Sequence, residues 1–73
     1  MDYYQRLKEL RNDNDITQKQ LAFLLNTDQQ QYSRWETGKR ELPILNLKKL
    51  CKFYNVSADY ILGLPEGMPY PKR

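Results

Sequence analysis

Between Thr17 and Gly38 the chain carries two short helical patterns with almost nothing between them. Thr17 is a good N-cap, because its hydroxyl can satisfy an otherwise unpaired backbone N–H, and Leu21, Ala22, Leu24 and Leu25 follow it at helical spacing. Asn26 stops this first pattern; asparagine tolerates the left-handed conformation that a tight turn demands, though less easily than glycine. Asp28 caps the second pattern, Tyr32 and Trp35 form its inner face, and Gly38 closes it. The spacing predicts two helices joined by a tight turn, against which the rest of the chain must pack. The second helix opens with Gln29, Gln30 and Gln31. A glutamine amide can pair bidentately with N6 and N7 of adenine in the DNA major groove. Three glutamines on a helix with no further context would more simply be solvated polar residues.

The flanking sequence predicts three more helices. The first covers about residues 2–12, with Tyr3, Tyr4, Leu7 and Leu10 at helical spacing, and ends in the turn-favouring run Asn12-Asp13-Asn14-Asp15. The fourth starts at Pro43, a favoured first helical residue, and carries the stripe Leu47, Leu50, Cys51 and Tyr54. Ser57 caps a short fifth helix whose expected core residues are Tyr60, Ile61 and Leu64, and Gly63 ends it. The division expected is a folded domain over 1–64 and a Pro-rich tail over 65–73, extended or mobile. The fold class expected is all-α, with no convincing strand, repeat or second domain.

Composition narrows the functions open to such a bundle. The lone Cys51 excludes an internal disulfide and fits a small buried apolar role on the fourth helix. Without histidine, a zinc site would need carboxylates and a single thiol, so no metal and no cofactor is expected. No apolar run approaches the roughly 20 residues that span a bilayer. The amphipathic start MDYYQRLKEL has no apolar signal core, so the expected location is a reducing cytoplasm, with no membrane partner. The charge is unevenly placed. Residues 1–33 have four Lys/Arg against five Asp/Glu, residues 34–52 have six against two, and residues 53–73 balance. The basic excess thus begins inside the third helix and continues just past it, as a phosphate-facing surface would require.

Taken together, these positions resemble the phage repressor and Cro-like helix-turn-helix domain, the xenobiotic-response-element family. The resemblance covers residues 3–64. It rests on LKELR at 7–11, Thr17-Gln18, Leu21-Ala22, the turn at Asn26, Tyr32 and Trp35, Glu36-Thr37-Gly38-Lys39, and Val56-Ser57-Ala58-Asp59-Tyr60. It implies a compact, five-helix, lambda-repressor-like bundle acting as a sequence-specific DNA-binding transcriptional regulator of repressor type. In that family pattern Ala22 is the small residue where the two motif helices cross. Gln29, Gln30, Gln31 and Arg34 match the outward positions that reach base edges. Thr17 and Gln18 match backbone contacts at the start of the second helix, and Thr37, Lys39 and Arg40 match the phosphate-holding loop. Arg11 and Glu36 match a buried ion pair. Relatives of this size pair through the surface around the fifth helix, so Tyr60, Ile61 and Leu64 become the candidate homodimer surface. In two places the chain departs from the pattern. Asn26 stands where glycine is usual, which implies some strain, and Trp35 replaces a smaller aliphatic residue, so it must enlarge the core or reach the surface.

The expected partner is therefore double-stranded DNA, with no small-molecule ligand. The main rival is an antitoxin-like or other protein-interaction module on the same fold, with Met68 and Tyr70 of the tail as its contacts. An enzyme is disfavoured, since there is no histidine and no glycine-rich phosphate loop. RNA duplex is disfavoured because an A-form major groove does not admit a helix.

Overall fold

The computed structural model describes residues 2–64. It holds five helices: α1 (Tyr3–Asp13), α2 (Gln18–Leu24), α3 (Gln29–Glu36), α4 (Ile44–Tyr54) and α5 (Ala58–Leu62). The tail expected over 65–73, with Met68 and Tyr70, lies outside the described residues.

Local chemistry sets the helix boundaries. At α2 the Thr17 hydroxyl accepts from the Gln20 N–H at 3.0 Å, and the Thr17 N–H donates to the Gln20 side-chain carbonyl at 2.9 Å. This reciprocal pair satisfies two donors that a bare helix start would leave open. Asp28 Oδ1 accepts from the Gln31 N–H at 2.8 Å, and Ser57 Oγ accepts from the Tyr60 N–H at 3.2 Å. Pro43 differs from expectation. Its ψ of 144° is extended, so it is the N-cap of α4 and Ile44 is the first helical residue. Its carbonyl still starts the helix, accepting from the N–H groups of Asn46 and Leu47 at 3.0 Å.

The turn between α2 and α3 is a Schellman closure. Asn26 sits at φ +58°, the Thr27 N–H donates to the Ala22 carbonyl at 2.9 Å, and the Asn26 N–H donates to the Phe23 carbonyl at 3.1 Å. Asp15 ends α1 in the same way at φ +54°, with the Ile16 N–H on the Arg11 carbonyl. Gly38, at φ +81°, is required for a second reason as well. A Cβ there would lie 2.9–3.1 Å from the Tyr4 ring, closer than carbon atoms pack. Nearby, the Leu42 N–H donates to the Tyr3 hydroxyl at 3.0 Å, which ties the loop after α3 to α1.

The core is Leu7, Leu10, Leu21, Ala22, Leu25, Tyr32, Trp35, Leu50 and Ile61. Helix α1 packs against α3 and α5, α2 against α3, and α4 against α5. Trp35 takes the first of its two options: it is 3% exposed and meets Tyr32 edge-on, with ring centroids 6.2 Å apart. Two expected core residues, Tyr60 and Leu64, are not in the core, and Leu24 of the α2 pattern also lies outside it. Leu24, Tyr60 and Leu64 are 53%, 46% and 46% exposed. Leu24 lies off the face of α2 that Leu21 and Leu25 turn inward, and Leu64 lies beyond the end of α5. The Tyr60 ring lies under the Arg6 guanidinium, 4.4 Å from its centroid, and so covers α1 from outside.

The positive φ of Asn26 yields a stability prediction. Asn26→Gly removes the residual left-handed penalty and raises stability by about 0.5 kcal/mol, whereas Asn26→Ala lowers it by about 1 kcal/mol. Urea midpoints of the two variants, measured side by side, check the opposite signs.

Candidate nucleic-acid interface

The short α2–α3 turn leaves the N-terminal ends of both helices on one side of the molecule. There a groove of about 420 Å³ is lined by Gln18, Gln29, Gln30, Ser33, Arg34, Thr37 and Lys39. Six of the nine expected DNA-contacting residues are thereby brought together. Gln29, Gln30, Ser33, Arg34 and Thr37 fall on one helical strip, because residues three and four apart share a face. Ser33 was missed at the level of sequence, yet it stands four residues after Gln29 and three after Gln30, so that spacing alone contained it.

The other three expected residues are placed differently. Gln31 does not line the groove. It is half-buried, and its side-chain carbonyl accepts from Arg34 Nη1 at 3.3 Å. The Thr17 hydroxyl is occupied by the cap of α2. Arg40 is exposed beyond the groove, with its N–H on the Arg34 carbonyl at 3.2 Å. Thr37 lines the groove, but its hydroxyl donates back to the Ser33 carbonyl at 2.8 Å and so fixes the last turn of α3.

Beneath the groove lies the Arg11–Glu36 pair. Arg11 donates through Nε to Oε2 and through Nη2 to Oε1 of Glu36, both at 2.9 Å, and its Nη1 donates to the Ile16 carbonyl at 3.0 Å. The side chains are 14% and 3% exposed, so this fork-to-fork pair is largely out of water. Gln18 joins it, with Nε2 donating to Glu36 Oε1 at 3.3 Å. Burial alone would push the Glu36 carboxyl up, but Arg11, the Tyr32 hydroxyl and Gln18 together outweigh it and hold the group below the ordinary carboxylate range. The Tyr32 and Tyr54 hydroxyls are buried nearby. Burial, reinforced by the Glu36 charge, raises the Tyr32 hydroxyl pKa and pushes that of Tyr54 up to about 12. Both hydroxyls therefore stay neutral beside the carboxylate.

The expected dimer surface needs one correction. Ile61 is fully buried in the monomer core, while Tyr60 and Leu64 are exposed, together with Leu62 at 38%. Among the described residues, no helix is long and apolar enough to cross a membrane, and no group of side chains could hold a metal ion.

Two short helices meeting through a tight turn, with the second turning a polar strip outward, define a helix-turn-helix domain. Residues 7–61 match the sequence model of the Helix-turn-helix family, and the chain belongs to it. It is 39% identical over 70 residues to the uncharacterized HTH-type transcriptional regulator YobD of Bacillus subtilis, spanning 96% of this chain and 62% of that one. It is 41% identical over 66 residues to the HTH-type transcriptional regulator ImmR of the same organism, spanning 90% of this chain and 52% of the relative. It therefore covers less than two thirds of either relative's length. Among solved structures, the restriction-modification controller protein C.AhdI from Aeromonas hydrophila has the same fold. The TM-score is 0.72 at 30% identity, over 81% of this chain and 86% of that one.

Removing Glu36 leaves a guanidinium largely buried without its partner. Glu36→Ala is expected to cost about 3–5 kcal/mol, read from denaturant unfolding. The pH dependence follows from the sign of the shift. A carboxyl depressed in the folded state stabilises the fold fully above the ordinary carboxylate range, and this contribution is lost as pH falls through the folded pKa. Acid unfolding of Glu36→Gln should therefore be shallower than that of wild type over that interval.

Proposed function

We propose that the chain is a sequence-specific, double-stranded-DNA-binding transcriptional regulator of repressor type, with α3 seated in the major groove. The observation that carries this reading is the convergence of Gln18, Gln29, Gln30, Arg34, Thr37 and Lys39 on one open polar groove that runs from the start of α2 along the outer face of α3. The family membership and the regulators among its relatives support it further. Gln29 and Gln30 open α3 and are the adenine readers. Arg34, one turn on, reaches a guanine edge or a phosphate, and Gln31 supports it. Lys39 and Arg40 neutralise phosphates, with Gln18 and the backbone around Thr17 and Thr37 holding the strand. The role is binding without catalysis, carried out where the DNA is, in the cytoplasm. Residues 1–64 form the DNA-binding unit.

Tyr60, Leu62 and Leu64 leave an exposed apolar edge at α5, which favours a homodimer. Pairing there would set two copies of α3 about 34 Å apart on a two-fold site.

Binding-site selection from randomised duplex DNA tests the reading. Wild type should enrich one sequence, and the double variant Gln29→Ala, Gln30→Ala should enrich none while keeping salt-sensitive non-specific binding. Equal enrichment by both proteins would remove the glutamines from base reading. Lys39→Ala should weaken binding to all sequences alike and lower the slope of log affinity against log salt by about one.

A further inference from the structure

Gln18 stands in two places at once: it lines the polar groove, and its amide nitrogen is bound to the buried carboxylate of Glu36 at 3.3 Å. We propose that Glu36 is a positioning residue for DNA binding, fixing the Gln18 amide so that it meets a phosphate already ordered. The proposal rests on the DNA-binding reading above and adds to it a function for the core ion pair.

The chemistry fixes which way the amide lies. A carboxylate can only accept, so the NH2 end of Gln18 must face Glu36 and the carbonyl must not. One N–H is used there. The second N–H and the carbonyl oxygen are then held in a single orientation at the edge of the groove, and that second N–H is a donor for a phosphate oxygen. Glu36 is itself held in place by Arg11, which donates to both of its oxygens at 2.9 Å and is anchored in turn on the Ile16 carbonyl. The chain of contacts therefore runs from α1 through the end of α3 to the first residue of α2. Gln29 and Gln30, by contrast, are exposed and make no side-chain hydrogen bond among those found for the described residues. A long side chain left free must be ordered when it binds, and holding it beforehand removes that cost.

A double-mutant cycle on the selected duplex separates positioning from simple stability. Gln18→Met keeps the ion pair and removes the donor. It should weaken binding about fivefold on every sequence, with the salt slope unchanged because no charge is lost. In Glu36→Gln the amide at that position no longer imposes one orientation, and adding Gln18→Met should then cost less than about twofold. Affinities are compared below the unfolding transition, with the folded fraction checked by circular dichroism. Equal costs in both backgrounds would overturn the positioning role while leaving the DNA reading intact. A wild type that enriches no duplex would overturn both. Should Glu36→Gln fail to fold, the wild type alone decides. The Gln18 side-chain amide should show a heteronuclear NOE like that of the α2 backbone, with Gln29 and Gln30 well below it. A Gln18 amide as mobile as those two would contradict the proposal.

Discussion

A guanidinium from α1 and a carboxylate from the last residue of α3 meet near the point where α2 begins, and the rest of the architecture is arranged around that contact. Arg11 is long enough to cross the interface, planar enough to hold both carboxylate oxygens, and has a further donor for the Ile16 carbonyl. Glu36 is the one buried charged residue among the described residues. An isolated carboxylate at that depth would be costly, but with Arg11 and Gln18 on its oxygens it stays ionised. The pair locks the end of α3 to the first helix, and through Gln18 it reaches the outer surface. On the proposed DNA-binding reading, stability and recognition share one side-chain network.

The turns do the complementary work. Asn26 at φ +58° and the Schellman bonds on either side of it send the chain from α2 into α3 within a few residues. That shortness keeps the starts of the two helices on the same face. After α3, Gly38 lets the chain pass against the Tyr4 ring, and the Tyr3 hydroxyl holds the Leu42 N–H. The Lys39–Arg40 segment is thus held beside the groove by contacts to α1, although no regular secondary structure supports it.

Much of this was legible from the sequence, because caps and periodicity are local signals. Thr17, Asp28 and Ser57 each announce a helix start that the hydrogen bonds then show. The core face of α3 followed from Tyr32 and Trp35. Tertiary contacts were less visible. Tyr60 looks like core by spacing but lies outside, under Arg6, since a cation above an aromatic face leaves no periodic trace. Ile61, offered for the dimer surface, is buried because α5 is too short to spare its one inward aliphatic residue from the core. Gln31 looks equivalent to its two neighbours, and only the fold reveals that it turns toward Arg34. The link from Gln18 to Glu36 spans eighteen residues and could not be read locally.

On the proposed reading, the groove that runs from the start of α2 along the outer face of α3, and no other surface, receives DNA. Backbone amide chemical-shift mapping on addition of a selected duplex tests it most directly. Perturbations should concentrate at residues 17–18, 29–34 and 37–40, with α4 and α5 little changed. Perturbations centred on the exposed apolar edge of Tyr60, Leu62 and Leu64, with α3 undisturbed, would contradict it.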